Sequence, residues 1–219
     1  MSGFDRVAGI YHALEYAAFG RTLQRSRVAH LDRLRDCSDV LILGDGDGRF
    51  LQALMQAMPT VRVHSVDASS KMLALAASRL GDDDRARVTL ERADVRHWDT
   101  GDRSYDAIVT LFFLDCFLER KVEDLVARLT PRLRPGGLWF FADFAIPSAG
   151  LARLHALVVV KSLYLFFKWR AGLEAQKLPP SEAILQRAGL TCVAAREFRA
   201  GILRSAVYEQ EAAHFRSRP

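Results

Sequence analysis

The 219-residue chain is half hydrophobic and carries 31 Lys and Arg against 26 Asp and Glu, a formal charge of +5. This composition supplies a sizeable core and excludes disordered and collagen-like chains; the bases alternate with acids instead of forming the clustered face of a nucleic-acid binder, so no nucleic-acid partner is expected. Cys37, Cys116 and Cys192 offer neither a zinc spacing nor an even disulfide set, and Met1-Ser2-Gly3-Phe4-Asp5-Arg6 lacks a basic stretch leading into an apolar one, so reduced thiols, no metal and a cytoplasmic location are expected.

From Val7 to Leu34 the apolar residues Ile10, Leu14, Ala17, Leu23, Val28 and Leu31 recur at helical spacing and predict one or two helices. Val40-Leu41-Ile42-Leu43 reads as a strand buried on both faces of a parallel sheet. Phe50 to Met58 follows as a helix stopped by Pro59, then Val61 to Val66 as a strand closed by Asp67. The alternation continues through a helix at Ser70 to Leu80, strands at Val88 to Glu91 and Tyr105 to Leu111, a helix at Lys121 to Leu129, a turn through Pro131 to Gly137, and a strand at Leu138 to Asp143. Such alternation implies a doubly wound α/β sheet. Beyond it stand a long apolar helix at about 149 to 171, a short one at about 181 to 188, and two strands near 191 to 198 and 202 to 209 that can pair around Ala200-Gly201. One domain is expected: N-terminal helices over 1–36, a cofactor-binding core over 37–148, a helical lid over 149–180, and a closing helix and hairpin over 181–219.

Gly44-Asp45-Gly46-Asp47-Gly48 sits between the first strand and its helix. Alternate glycines let the backbone turn sharply and approach a ligand, and the helix start behind them offers free N–H donors. Arg49 stands where the dinucleotide fingerprint needs glycine, and no Gly-Lys-Ser/Thr follows, so nicotinamide, flavin and P-loop readings are disfavoured. Asp67, 23 residues after Gly44, is placed either to accept from ribose hydroxyls or to cap the next helix. Asp94 can accept from an adenine amino group or serve as a turn residue. Met72 and Val95 suit the flanks of an adenine, or the core.

In this order, Val40 to Gly48, Val66-Asp67-Ala68-Ser69, Ala93-Asp94 and Leu133-Arg134-Pro135-Gly136-Gly137 resemble the motifs of class I S-adenosylmethionine-dependent methyltransferases, over roughly residues 38 to 145. The resemblance implies a Rossmann-like seven-stranded sheet whose last strand runs antiparallel. It places the methionine part of S-adenosylmethionine on the loop Gly44, Asp45, Gly46, Asp47 and Gly48, the ribose on Asp67, the adenine beside Asp94 and Val95, and Leu111 under the cofactor near the methyl group; Ala68 and Met72 are further cofactor-binding candidates. S-adenosylhomocysteine is the implied product. The family often carries an acid two residues before the first glycine; this chain has Ile42, and Asp45 or Asp47 can substitute.

Leu111-Phe112-Phe113-Leu114-Asp115-Cys116-Phe117 lies at the carboxyl edge of the sheet, where open α/β sheets bind ligands. Asp115, a carboxyl among aromatics, is the candidate base; its other reading is a helix N-cap. Tyr11, His12, Phe112 and Tyr164 are candidate acceptor contacts. In the 149–171 segment Arg153, Lys161 and Lys168 fall within a sector of about 80° of an otherwise apolar helix. That helix reads as a lid, a dimer contact, a surface resting on anionic lipid, or a buried core helix, and is too interrupted by charge to span a membrane. The leading expectation is methyl transfer to a small apolar or aromatic acceptor, with weak similarity to ubiquinone and menaquinone biosynthesis methyltransferases, by a monomer or homodimer. A non-catalytic S-adenosylmethionine-binding module and a nucleic-acid methyltransferase are the alternatives.

Overall fold

Apolar runs too short for helices, the first two closed by Gly44 and Asp67, become the middle of one sheet. The computed structural model describes residues 19–147, 149–150, 153–154, 156–158 and 177–211. Its strands are β1 (Asp39–Leu43), β2 (Arg62–Asp67), β3 (Val88–Arg92), β4 (Tyr105–Leu111), β5 (Leu133–Phe144), β6 (Leu190–Phe198) and β7 (Leu203–Gln210), in the order β3-β2-β1-β4-β5-β7-β6. The first five are parallel, while β7 runs antiparallel to both β5 and β6. This is the expected Rossmann-like sheet with a C-terminal hairpin. The helices are α1 (Thr22–Arg27), α2 (Arg49–Ala57), α3 (Ser70–Ser78), the single turn α4 (Asp82–Arg85), α5 (Glu119–Leu129) and α6 (Ser181–Arg187).

Strand alternation divides the core into two layers. Val40, Ile42, Val63 and Val109 face Leu23 of α1 and Leu51 and Leu54 of α2. Leu41, Leu43, Ile108, Trp139 and Phe141 face Val122 and Leu125 of α5 and Ile184 and Leu185 of α6. The indole N–H of Trp139, fully buried, donates to Thr110 Oγ1 at 2.9 Å, so the largest core side chain leaves no polar atom unpaired. At the amino ends of the strands, Asp106 accepts from the Ser38 and Asp39 N–H groups at 2.8 and 2.9 Å. Arg134 bridges Asp106 and Asp39. This arrangement ties β1, β4 and β5 together at that edge.

Several expected boundaries move. The turn expected over Pro131–Gly137 is largely strand: β5 starts at Leu133 and absorbs Pro135 and two glycines where its register with β4 shifts between Tyr105 and Ala107. An irregular register tolerates the missing proline N–H and the left-handed Gly136, φ 74°. The expected N-terminal helix reads, over its described part, as α1 followed by a 3-10 turn at Leu31–Leu34. The acidic turn α4 carries no apolar residue, so periodicity had nothing to register.

Gly48 ends the first loop at φ 81° and opens α2, and a Cβ there would lie 2.6 Å from both Cα and Cβ of Ala76 on α3. Left-handed backbone costs a non-glycine residue about 1–2 kcal/mol, and overpacking adds about 1–3 kcal/mol. Gly48→Ala should therefore lower the unfolding free energy by at least about 2 kcal/mol in urea titration; a loss below about 0.5 kcal/mol would show that α3 does not press on the loop.

Candidate active site

The strand order reverses between β1 and β4, so the chain diverges to opposite sides there and a crevice opens beyond their carboxyl ends. The glycine loop lies in that crevice. Gly44 N–H donates to Val66 O at 2.9 Å, anchoring the turn to β2. Gly44, Gly46 and Gly48 all take positive φ, at 65°, 66° and 81°. A Cβ on Gly44 would run into the Phe113 ring, and one on Gly48 into α3, whereas one on Gly46 would meet nothing within 4 Å. The loop is closed behind and open at its middle glycine, a cradle that fits close approach by a ligand.

The two loop acids have different partners. Asp47 is held by Arg49 at 2.9 Å and Arg79 at 2.8 Å, and Arg79 also donates to its carbonyl at 2.6 Å. Asp45 accepts from Leu51 N–H at 2.9 Å, a bond to the first turn of α2. Burial pushes the Asp45 carboxyl up to about 7, against the pull of the Leu51 N–H and the Arg27 guanidinium. Arg27, buried on α1, lies over the Phe112 ring at 5.2 Å. Of the two acids expected to stand in for the missing one at Ile42, Asp47 is committed to two arginines, and Ile42 itself is core.

Asp67 closes β2, and its Oδ1 accepts from Ser69 N–H at 2.8 Å. The cap of α3 is Ser69, whose hydroxyl accepts from Met72 N–H at 3.2 Å, so the capping role considered for Asp67 belongs to another residue. Ala93 N–H donates to Asp67 O at 3.1 Å and brings the turn after β3 alongside. There Val95 is buried, and Asp94 is ion-paired with Arg96 at 2.5 Å, which holds its carboxyl below the usual range. Met72 and Leu111 are buried, and Ala68 is exposed.

Beyond β4 the chain takes an unusual path. Phe112 has φ 55°, left-handed for a bulky residue, and its N–H donates to Ala142 O at 2.7 Å. The kink keeps Phe112 in the α1/α2 layer with Leu111, against Phe144 at 5.3 Å, where alternation would have sent it across. Phe113 falls on the opposite side, edge-on to Phe117 at 5.0 Å. Asp115 follows in a 3-10 turn over Leu114–Cys116, 9% exposed. The cap of α5 is Leu118, so Asp115 is not its N-cap. Its N–H donates to Asp143 Oδ2 at 3.1 Å, and burial pushes its carboxyl up to about 6.

Of the residues expected from sequence, the fold brings Gly44 to Gly48, Asp67, Leu111, Phe112 and Asp115 to the carboxyl edge of β1, β2 and β4. Tyr11, His12 and Tyr164 lie outside the described residues, as does most of the 149–171 segment. Arg27 and Asp143 were missed, as was the packing of the Phe113 ring on Gly44. Asp143 closes the strand expected at Leu138 to Asp143 as Asp67 closes β2, a signal that was available; nothing in the sequence marks Arg27 or the contact between Phe113 and Gly44.

Residues 40–137 match the family model described as "Methyltransferase domain". Demethylmenaquinone methyltransferase of Thermotoga maritima is 33% identical over 54% of this chain and 50% of its own length. Trans-aconitate 2-methyltransferase of Pseudomonas aeruginosa is 36% identical over 56% of this chain and 42% of its own. Among solved structures, an O-methyltransferase family protein from Burkholderia thailandensis superimposes with a TM-score of 0.68 at 14% identity, over 94% of this chain and 60% of that one.

Over residues 40–137 this chain is similar to the methyltransferase domain family, whose class I members use S-adenosylmethionine. It spans half or less of the length of these two curated relatives. The match to the family model runs from β1 into β5. The family's cofactor fits what the core presents: an open left-handed Gly46, the helix start behind it, and an acid ending β2.

A carboxyl whose folded pKa lies above its unfolded value of about 3.9 stabilises the fold fully below that pH and loses the contribution as pH rises through the folded value. For Asp45 this window runs up to about 7. Asp45→Asn keeps the acceptor for Leu51 N–H. The variant should match the parent's stability near pH 4 and exceed it at pH 8 by at least about 1 kcal/mol, the equivalent of one pH unit. Denaturant titrations at the two pH values check this; equal differences at both would contradict it.

Proposed function

We propose that this chain transfers a methyl group from S-adenosylmethionine to a small, apolar or aromatic acceptor held beside Asp115. One observation carries the reading. A buried carboxyl, flanked in the chain by Phe113, Leu114 and Phe117, stands at the carboxyl end of β4, on the same edge as the glycine cradle. When bound, S-adenosylmethionine supplies an electrophilic sulfonium methyl group.

Gly44 to Gly48 bring the backbone against the methionine part, and Asp67 accepts from the ribose hydroxyls. Met72, Asp94 and Val95 flank the adenine, the last two presented by the turn tied to Asp67 through Ala93. Arg27 brings a positive charge beside Asp45, suited to the cofactor's carboxylate. Leu111 and Phe112 form the apolar floor below the transferring group. Asp115 accepts a proton from the acceptor, and orientation by these walls supplies much of the rate. The names of the two sequence relatives specify a quinone precursor and a carboxylic acid, so similarity in the shared core does not select an acceptor.

Calorimetry with S-adenosylhomocysteine tests the cofactor assignment. The parent should bind, and Asp67→Ala should weaken binding about 10–100-fold, the worth of about 1.5–3 kcal/mol for hydrogen bonds to a charged group. Undetectable binding to the parent, or an Asp67→Ala variant that binds equally well, would contradict it.

A further inference from the structure

Between β3 and β4, which are separated in the sheet by β2 and β1, the chain runs through Ala93 to Ser104 without forming a helix. Parallel strands are ordinarily joined through a helix, whose backbone groups satisfy one another. A crossover without one must find partners elsewhere for its carbonyls and N–H groups. Asp94 O accepts from the His97 and Trp98 N–H groups, both at 2.9 Å, which closes one turn over Asp94 to Trp98. Two further carbonyls of that turn go to a single side chain. Arg128 of α5 donates Nη2 to Val95 O at 2.6 Å and Nη1 to Trp98 O at 2.8 Å.

A base in the last turn of a helix ordinarily serves that helix's own free carbonyls. Arg128 stands in the last turn of α5 but reaches across to another segment, with the rigid fork that a guanidinium has and an ammonium lacks. A second tie comes from the sheet. The indole N–H of Trp98 donates to Glu91 Oε1 at 2.7 Å, and Glu91 Oε2 lies 2.7 Å from Nε2 of His64 on β2. The His64 ring meets the indole edge-on at 5.5 Å, and its Nδ1 lies 2.9 Å from the Tyr105 hydroxyl. With Ala93 N–H on Asp67 O, the turn is held from β2, β3 and α5 at once. Within it, Arg96 donates Nε to the Asp94 carboxylate at 2.9 Å, so that carboxylate goes where the turn goes.

We propose that Arg128 and Trp98 are positioning residues that set which base the cofactor carries. Arg128 acts through the turn backbone and Trp98 through Glu91; together they fix Asp94 and Val95 before a ligand arrives. A turn fixed in advance saves the ordering that binding would otherwise require. The 6-amino group of adenine donates to Asp94, whereas a 6-oxo purine turns a lone pair toward that carboxylate, and a clamped turn does not retreat from it. Loosening the clamp therefore weakens adenine binding and relieves the penalty on hypoxanthine. This inference rests on the placement of adenine proposed above and adds to it how the base is selected.

Calorimetry with S-adenosylhomocysteine and its deaminated analogue S-inosylhomocysteine tests the clamp on the full chain. The parent should favour the adenine ligand by at least about tenfold, the worth of one hydrogen bond to a charged group. Arg128→Met keeps the stem and removes the fork; it should weaken S-adenosylhomocysteine about tenfold and S-inosylhomocysteine by less than about threefold, so that the preference collapses. A folded Arg128→Met that weakens both ligands equally, or neither, has lost only a structural contact or nothing, and overturns the proposal. Trp98→Phe keeps the ring and removes the N–H, and should lower the preference about threefold; an unchanged preference overturns the role of Trp98. Amide hydrogen exchange of the ligand-free parent reads the clamp without any variant: the His97 and Trp98 amides should exchange at least about 100-fold slower than in an unstructured chain, and unprotected amides overturn the proposal even if Arg128→Met fails to fold. A parent that binds S-adenosylhomocysteine without preferring it over the inosine analogue sinks the placement of adenine beside Asp94, and a parent that binds neither sinks the proposed function; both are distinct from failure of the clamp.

Discussion

Everything at the carboxyl edge depends on how the chain leaves β1. Val40 to Leu43 must run straight to fill both core layers, and the next residues must then turn within a few ångströms so that α2 can return along the sheet. Three left-handed glycines make that turn, with Phe113 against the first and α3 against the third. Only the middle one faces open space. Packing and ligand access are thus assigned to different glycines of one loop: Gly44 and Gly48 are dictated by neighbours already present, and Gly46 by what approaches from outside.

The two ends of the sheet carry different sets of carboxyls. At the amino edge, Asp39 and Asp106 are satisfied by Arg62 and Arg134, and their carboxyls are held below the ordinary range. At the carboxyl edge, burial raises Asp45, Asp115 and Asp143 instead. Arginine pairing at the first edge locks strands together. Asp47 and Asp94 at the second edge are also arginine-paired, but for Asp45, Asp115 and Asp143 burial is the largest influence on the charge, so their protonation can change when a ligand arrives. A cofactor carrying a sulfonium and an ammonium group is the kind of ligand that would shift that balance.

The first strands and the loop were legible because β1 and β2 are largely apolar runs closed by Gly44 and Asp67, and nothing competes with that pattern. β4 was placed residue for residue. The sequence was silent where backbone geometry overrides alternation. Nothing marks Phe112 as left-handed, so its layer and that of Phe113 could not be assigned beforehand. The Pro-Gly-Gly stretch reads as a turn by composition, and only pairing with β4 makes it strand. Asp115 was singled out correctly as a buried carboxyl, but its partner lies 28 residues away on the next strand. A contact of that kind follows from register, which periodicity does not supply.

The central claim is that one edge of the sheet holds both the cofactor cradle and the proton acceptor. A crystal structure of the full chain with S-adenosylhomocysteine tests it most directly. The ribose hydroxyls should lie on the Asp67 carboxylate, the homocysteine part against Gly46, and the sulfur should open onto a space that the Asp115 carboxyl borders. A nucleoside bound away from Asp67, or a sulfur facing a wall from which Asp115 is screened by Phe113 and Phe117, would contradict the assignment.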